Sequence, residues 1–336
     1  MQEEARVMFY DIKEFGFFKR SEETPAFGDI GQILRDLERW GAGKQIGLTK
    51  TFDVDGSVLP AYLVDVRRRG QAWLLTLWNE TANTDGAVAS MSAYADVGNS
   101  EVTMNELAEG DIPGFASYFW FLPDHQAVAT VRFQHPGAGR LQMRSYVQKF
   151  MAYFCANAVT SVDDETDGIR VHGYRASATD PVIKARPRFS MELHKKHAEQ
   201  QFLLESAHRI RKIKKKSTLI LTERPDRALW QKLLDSAHLT EPQVRPHDVK
   251  IVYEVEVETF TQEDVAAVIE GWEDEDQAGD YGFVMQGEQE TYWLGRAIAK
   301  ETLMLDIVRV NPEIVDPQTL IEALAHNRTR LLSLLE

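Results

Sequence analysis

Two pairs of apolar runs, each closed by a very short connection, commit this chain to antiparallel sheet. Ala61–Arg68 and Gln71–Trp78 are separated by Arg69-Gly70, and Ser117–Leu122 and Ala127–Phe133 by Pro123-Asp124-His125-Gln126. Links this short join antiparallel neighbours, because a parallel pair needs a crossover of about a dozen residues or more. Helices are interspersed. Ile30, Ile33, Leu34, Leu37 and Trp40 recur at helical spacing and are stopped by Gly41 and Gly43. Gly137-Ala138-Gly139 opens a second helix carrying Leu141, Met143, Val147, Phe150, Met151 and Phe154. Val7–Ile12 and Lys44–Asp53 read as further strands, and residues 79–112 as a long irregular excursion.

A polar junction at residues 160–168 divides the chain into an expected N-terminal domain, 1–160, and a C-terminal domain, 161–336. At 336 residues, two cores are the natural expectation. Beyond the junction, Ile169–Tyr174, the alternating Phe189, Met191 and Leu193, Leu219–Leu221 and Val249–Glu258 read as strands. Helices are predicted over Lys195–Ile213, Leu229–Ala237, Val265–Trp272 and Leu320–Leu335, the last capped by Asp316-Pro317. The class is α+β: two mixed domains with largely antiparallel sheets and a C-terminal helix. The only cysteine, Cys155, follows Tyr153-Phe154 in an apolar stretch and reads as a buried structural thiol. With no signal peptide and no long apolar run, the expected location is the cytoplasm, without direct membrane insertion.

Charge gives the functional lead. Between Lys184 and Lys216 stand Lys184, Arg186, Arg188, Lys195, Lys196, Arg209, Arg211, Lys212, Lys214, Lys215 and Lys216, against Glu192, Glu199 and Glu205. That window carries +8 in a chain of −14, so the remainder sums to −22. A reversal so confined is the footprint of a polyanion-binding face. The blander reading is a solvated helix face answering the acids downstream, where residues 241–290 hold fifteen acids and two bases, with Glu254, Glu256 and Glu258 along one strand face. Arg67-Arg68-Arg69 forms a smaller basic group at a turn tip.

Other motifs are weaker. Asp163, Glu165, Asp167 and Gly168 imitate a calcium loop, but its twelfth position is Tyr174 instead of a bidentate Glu. His194, His197 and His208 stand among cations and lack a completing carboxylate or cysteine, so no metal or cofactor is expected. Asp226, Asp248 and Lys250 fit a loose nuclease pattern, in which two carboxylates hold a metal ion and the lysine stabilises developing charge. Asp226 also serves as a helix N-cap.

Gly114-Phe115-Ala116-Ser117-Tyr118-Phe119, followed by Val128-Ala129-Thr130-Val131-Arg132-Phe133 and a helix, resembles the RexA-like family of phage-exclusion proteins. The polar junction, basic middle and closing helix fall in the same succession. The resemblance implies a dimer-forming DNA-binding sensor paired with a membrane protein, which aborts infection. This chain is longer and its basic cluster differs, so individual DNA contacts are not carried over. The expected function is sequence-tolerant binding of duplex DNA by a non-enzymatic homodimer. A metal-dependent nuclease and a protein–protein adaptor are the alternatives. The terminal helix, rich in leucine, is expected either to form the dimer interface or to buttress it.

Overall fold

A computed structural model describes the chain except residues 57, 82–87, 99–101, 106–109, 134–138, 163–167, 196, 221–247, 275–278, 289 and 297. The side chains of residues 88–89, 102–105, 197–200, 217–220, 248–250, 270–274, 279 and 296 also fall outside that description. The fold is α+β with antiparallel sheets and a C-terminal helix, as the sequence predicts. It divides into two compact units, residues 1–194 with 299–336, and residues 195–298.

The first unit is organised by one long strand, β1 (Gln2–Phe18), where the sequence predicts only Val7–Ile12. Strands β2 (Ala61–Arg69), β3 (Ala72–Glu80), β4 (Val88–Ser92), β5 (Val102–Asn105), β6 (Asp111–Leu122) and β7 (Ala127–Arg132) follow. After them come β8 (Ala158–Val162), β9 (Ile169–Tyr174) and β10 (Arg186–Leu193). Both expected hairpins form, β2 with β3 and β6 with β7, and two strands, β4 and β5, lie wholly within the expected irregular excursion. Lys44–Asp53 is not a strand. A 3₁₀ turn over Ile46–Thr49 replaces it, because the buried Thr49 hydroxyl donates to the Ile46 carbonyl (2.6 Å) and accepts from the Leu63 amide (2.8 Å). That pairing satisfies a polar group that a buried strand would leave unmatched.

Helices α1 (Ile30–Gly41) and α2 (Arg140–Tyr153) lie on one sheet face, where Trp40 meets Phe150 edge to face and Gly41 abuts Leu63. The opposite face presents Leu74, Trp78, Tyr118 and Trp120 to Leu320, Ile321, Leu324 and Leu331 near the C-terminus. The unit is therefore three layers, helix–sheet–helix.

Residues beyond 160 belong to this same unit. Strand β10 pairs Tyr10–Phe18, and the last strand of the chain, here β15 (Lys300–Asp306), pairs Gln2–Met8 along the same edge of β1. The compact units thus part at 194/195 and 298/299, whereas the polar junction near 160 lies inside one of them. Composition marks exposed loops well, but it cannot reveal that residue 193 pairs with residue 10.

Residues 195–298 are spliced between β10 and β15. His194 N donates to Phe9 O (2.9 Å), Phe9 N to Ala299 O (2.9 Å), and Ala299 N to His194 O (3.0 Å). The first unit's ladder is closed at the splice by its own residues. Replacing residues 195–298 with a short Gly/Ser linker should leave a chain that unfolds cooperatively, because loop closure across neighbouring residues costs little entropy. Circular dichroism during heating tests this; loss of the cooperative transition would show that the first unit depends on the insert.

The inserted unit holds α3 (His197–Glu205), β11 (Ile210–Ile220), β12 (Asp248–Glu256), α4 (Gln262–Asp274), β13 (Gly279–Met285) and β14 (Thr291–Trp293). Its sheet order is β12-β11-β13-β14, antiparallel throughout. Leu203, Ile210, Val265, Ile269, Phe283 and Met285 are buried, and Phe260 meets Phe283. The predicted helix over Lys195–Ile213 stops at Glu205, and the basic run that follows is strand.

The chain closes with α5 (Pro317–His326), whose Asp316 side chain caps the Thr319 amide at 2.7 Å, and α6 (Arg328–Leu332). Leu320, Ile321, Leu324 and Leu331 are buried in the first unit, and Leu332, Leu334 and Leu335 pack against that core. The apolar surface expected to join two copies is consumed by the chain's own sheet. No helix among the described residues is long and apolar enough to cross a membrane.

Candidate functional site

The basic run becomes a strand by way of a bulge. Between Ile210 and Lys212 the register of β11 against β13 shifts, so Ile210 faces Met285 while Ile213 faces Phe283. One extra residue, Arg211, places two isoleucines three positions apart on the same sheet face, which mimics helical spacing. From Lys212 onward the period is two. Ile213 and Lys215 point with Phe283 and Tyr281, whereas Lys212, Lys214 and Lys216 occupy the other face, opposite Val284, Gly282 and Asp280.

That lysine face meets the acidic strand. Lys212 pairs with Glu256 and Lys214 with Glu254 in the β11–β12 register. Lys212 Nζ lies 2.7 Å from Glu254 Oε1 and 3.2 Å from Glu256 Oε1, and Lys214 Nζ lies 3.4 Å from Glu254 Oε2. Donating hydrogen bonds to Glu254 and Glu256 raises the Lys212 pKa, and accepting the one from Lys212 lowers that of Glu254. Lys216 Nζ sits 3.4 Å from the Trp293 ring centroid, a cation–π geometry, and Lys215 lies 4.9 Å from Tyr281. Trp293 pairs with Gly282 across β13–β14, so it shares the lysine face, and a side chain on Gly282 would collide with its ring.

The remaining expected cations are dispersed. Arg209 donates to Glu288 (2.6 Å), and Arg211 to Gln286 (3.0 Å) and to two carbonyls. Lys195 is half-buried, and Lys196 lies outside the described residues. Lys184 and Arg186 are exposed, and Arg188 is held by Glu14 at 2.9 Å over the Phe18 ring. These three belong to the first unit, so the eleven cations are shared between two units and do not form one element. Sequence reasoning missed Trp293; that acids downstream answer the basic run was its blander reading, and Glu254 and Glu256 do so from the neighbouring strand. The carboxylate alternation was visible, but strand pairing was not.

Other candidate chemistry recedes. His194 Nδ1 is 2.6 Å from Asp11 Oδ1, and the described residues contain no group of three or more potential metal ligands. Asp226 and the acidic turn at 163–167 lie outside the described residues, as do the side chains of Asp248 and Lys250. Cys155 donates to the Met151 carbonyl, and burial pushes its thiol up to about 11, which leaves little thiolate at neutral pH. The segment resembling phage-exclusion proteins forms β6 and β7, central strands in which Ser117, Phe119 and Val131 are buried. Its residues build the core; they do not form a surface. No protein-family model, curated protein or solved structure matches the chain.

Proposed function

We propose that the chain is a non-enzymatic nucleic-acid-binding protein that contacts phosphates through the Lys212–Lys214–Lys216 face of its inserted unit. The observation supporting this reading is the alternation of three lysines on one sheet face that also carries Trp293. Cations track a phosphate backbone, and an aromatic ring on a sheet offers a stacking surface for an unpaired base. DNA is the proposed ligand, bound with little sequence preference because phosphate contacts carry no sequence information. The ring favours single-stranded or opened DNA over intact duplex.

Glu254 and Glu256 oppose this binding, since they occupy the same ammonium groups that a phosphate would take. Exposed ion pairs are worth little individually, so a polyanion that releases counterions can displace them. Glu254→Gln with Glu256→Gln should therefore tighten binding and steepen its salt dependence. Fluorescence anisotropy on labelled single-stranded and duplex DNA across a salt series provides the measurement. Unchanged or weaker binding in the double variant would overturn the assignment of this face.

The role in phage defence, with a second copy and a membrane-protein partner, is part of this proposal and rests on the resemblance. A protein–protein adaptor is the second reading. It is favoured by Val252, Tyr253 and Val255, which are 54%, 55% and 59% exposed on β12, an edge strand among the described residues. Binding to an acidic or strand-donating protein with no affinity for DNA would select it. Magnesium- or manganese-dependent cleavage lost on Asp248→Ala would select the nuclease instead.

A further inference from the structure

A cavity of about 310 Å³ opens at one end of the first unit's sheet. It is lined by the β2–β3 turn with Arg69 and Gln71, by Trp120 of β6, and by Ile321, Ala325 and Arg328 of the C-terminal helices. We propose that it binds a small organic anion, a phosphate or carboxylate head on a flat apolar body.

Two observations converge on that chemistry. Arg328 lines the cavity and has no partner among the described residues. Arg69 is only loosely engaged, at 3.6 Å from a Glu322 carboxylate that is itself half-exposed. Two guanidinium groups around one cavity supply what an oxyanion needs, and a guanidinium presents paired donors to two oxygens at once.

The rest of the wall defines the body of the ligand. Ile321, Ala325 and Ala72 are apolar, which suits a planar hydrocarbon or ring. Asp124 also lines the cavity and, with Glu322 beside it, disfavours a highly charged guest. The volume sits at the low end of small-molecule pockets, about 300–1,000 Å³, so a polymer does not fit. The site is therefore independent of the nucleic-acid reading.

The test is isothermal titration of the full chain with inorganic phosphate, phenyl phosphate and benzoate, at constant ionic strength with chloride as the control. Saturable binding of phenyl phosphate or benzoate, tighter than inorganic phosphate, is expected, and the better of the two identifies the head group. Arg328→Gln should weaken that binding at least tenfold, and Arg328→Lys should weaken it less. Glu322→Gln should tighten binding by releasing Arg69. Absence of saturable heat from all three probes at millimolar concentration overturns the proposal. So does wild-type affinity in Arg328→Gln with an unchanged melting temperature.

Discussion

With Gln at Lys212, Lys214 and Lys216, the chain should lose most of its affinity for DNA at moderate salt while keeping its fold. Counterion release contributes a slope of about 0.9 per phosphate for duplex and about 0.7 for single strands, so each contact is worth roughly five- to eightfold at 0.1 M salt. Three contacts then amount to about a hundred- to five-hundredfold, and the slope should fall by about one for each cation that touches a phosphate. Glutamine is the informative replacement. Glutamate at Lys212 or Lys214 would stand beside Glu254 and Glu256 and repel them across the strand pair. Loss of binding could then reflect a damaged sheet instead of a missing site. With glutamine the side chains still span the pleat and can hydrogen-bond to the carboxylates. Wild-type affinity and an unchanged slope in this variant would remove β11 from the DNA-binding proposal. An unaltered melting temperature shows that the loss is local.

Features written in short stretches of the chain were legible before any coordinates. Ile30, Ile33, Leu34 and Leu37 read as the inner stripe of a helix and are the buried residues of α1, and both hairpins follow from their short connections. Asp316-Pro317 likewise marks the start of α5. What stayed hidden depends on pairing between distant segments. The edge of β1 is completed by residues 186–193 and 300–306, so the boundary between units had to be found by contact, not by composition. The basic run misled for a different reason: a single bulge at Arg211 gives Ile210 and Ile213 a common face in a strand, with the spacing a helix would use. The charge asymmetry was legible, but its meaning changed once Glu254 and Glu256 proved to lie alongside Lys212 and Lys214. An excess of one sign along the chain is no measure of the field at a surface when the opposite sign is the neighbouring strand.

Deleting residues 317–336 should unfold the first unit and leave no dimer to dissociate. Leu320, Ile321, Leu324 and Leu331 are each at most 1% exposed, and they cover Leu74, Trp78, Tyr118 and Trp120 on the sheet. Truncating one such side chain to alanine costs about 2–5 kcal/mol, from lost transfer free energy and the cavity left behind. Four together reach about 8–20 kcal/mol, against a typical total stability of about 5–15 kcal/mol. The helix also anchors the approach to it, since the Tyr118 hydroxyl accepts from the Val315 amide at 2.7 Å. Leu324→Ala alone should therefore lower unfolding stability by about 2–5 kcal/mol, read from denaturant titration with an unchanged slope. A truncated chain that keeps its near-ultraviolet tryptophan signal and a cooperative transition would refute this packing. The same reasoning moves any dimer interface elsewhere. Light scattering of the intact chain tests the proposed second copy, and a dimeric mass that survives Leu324→Ala would place its interface on a surface other than this helix.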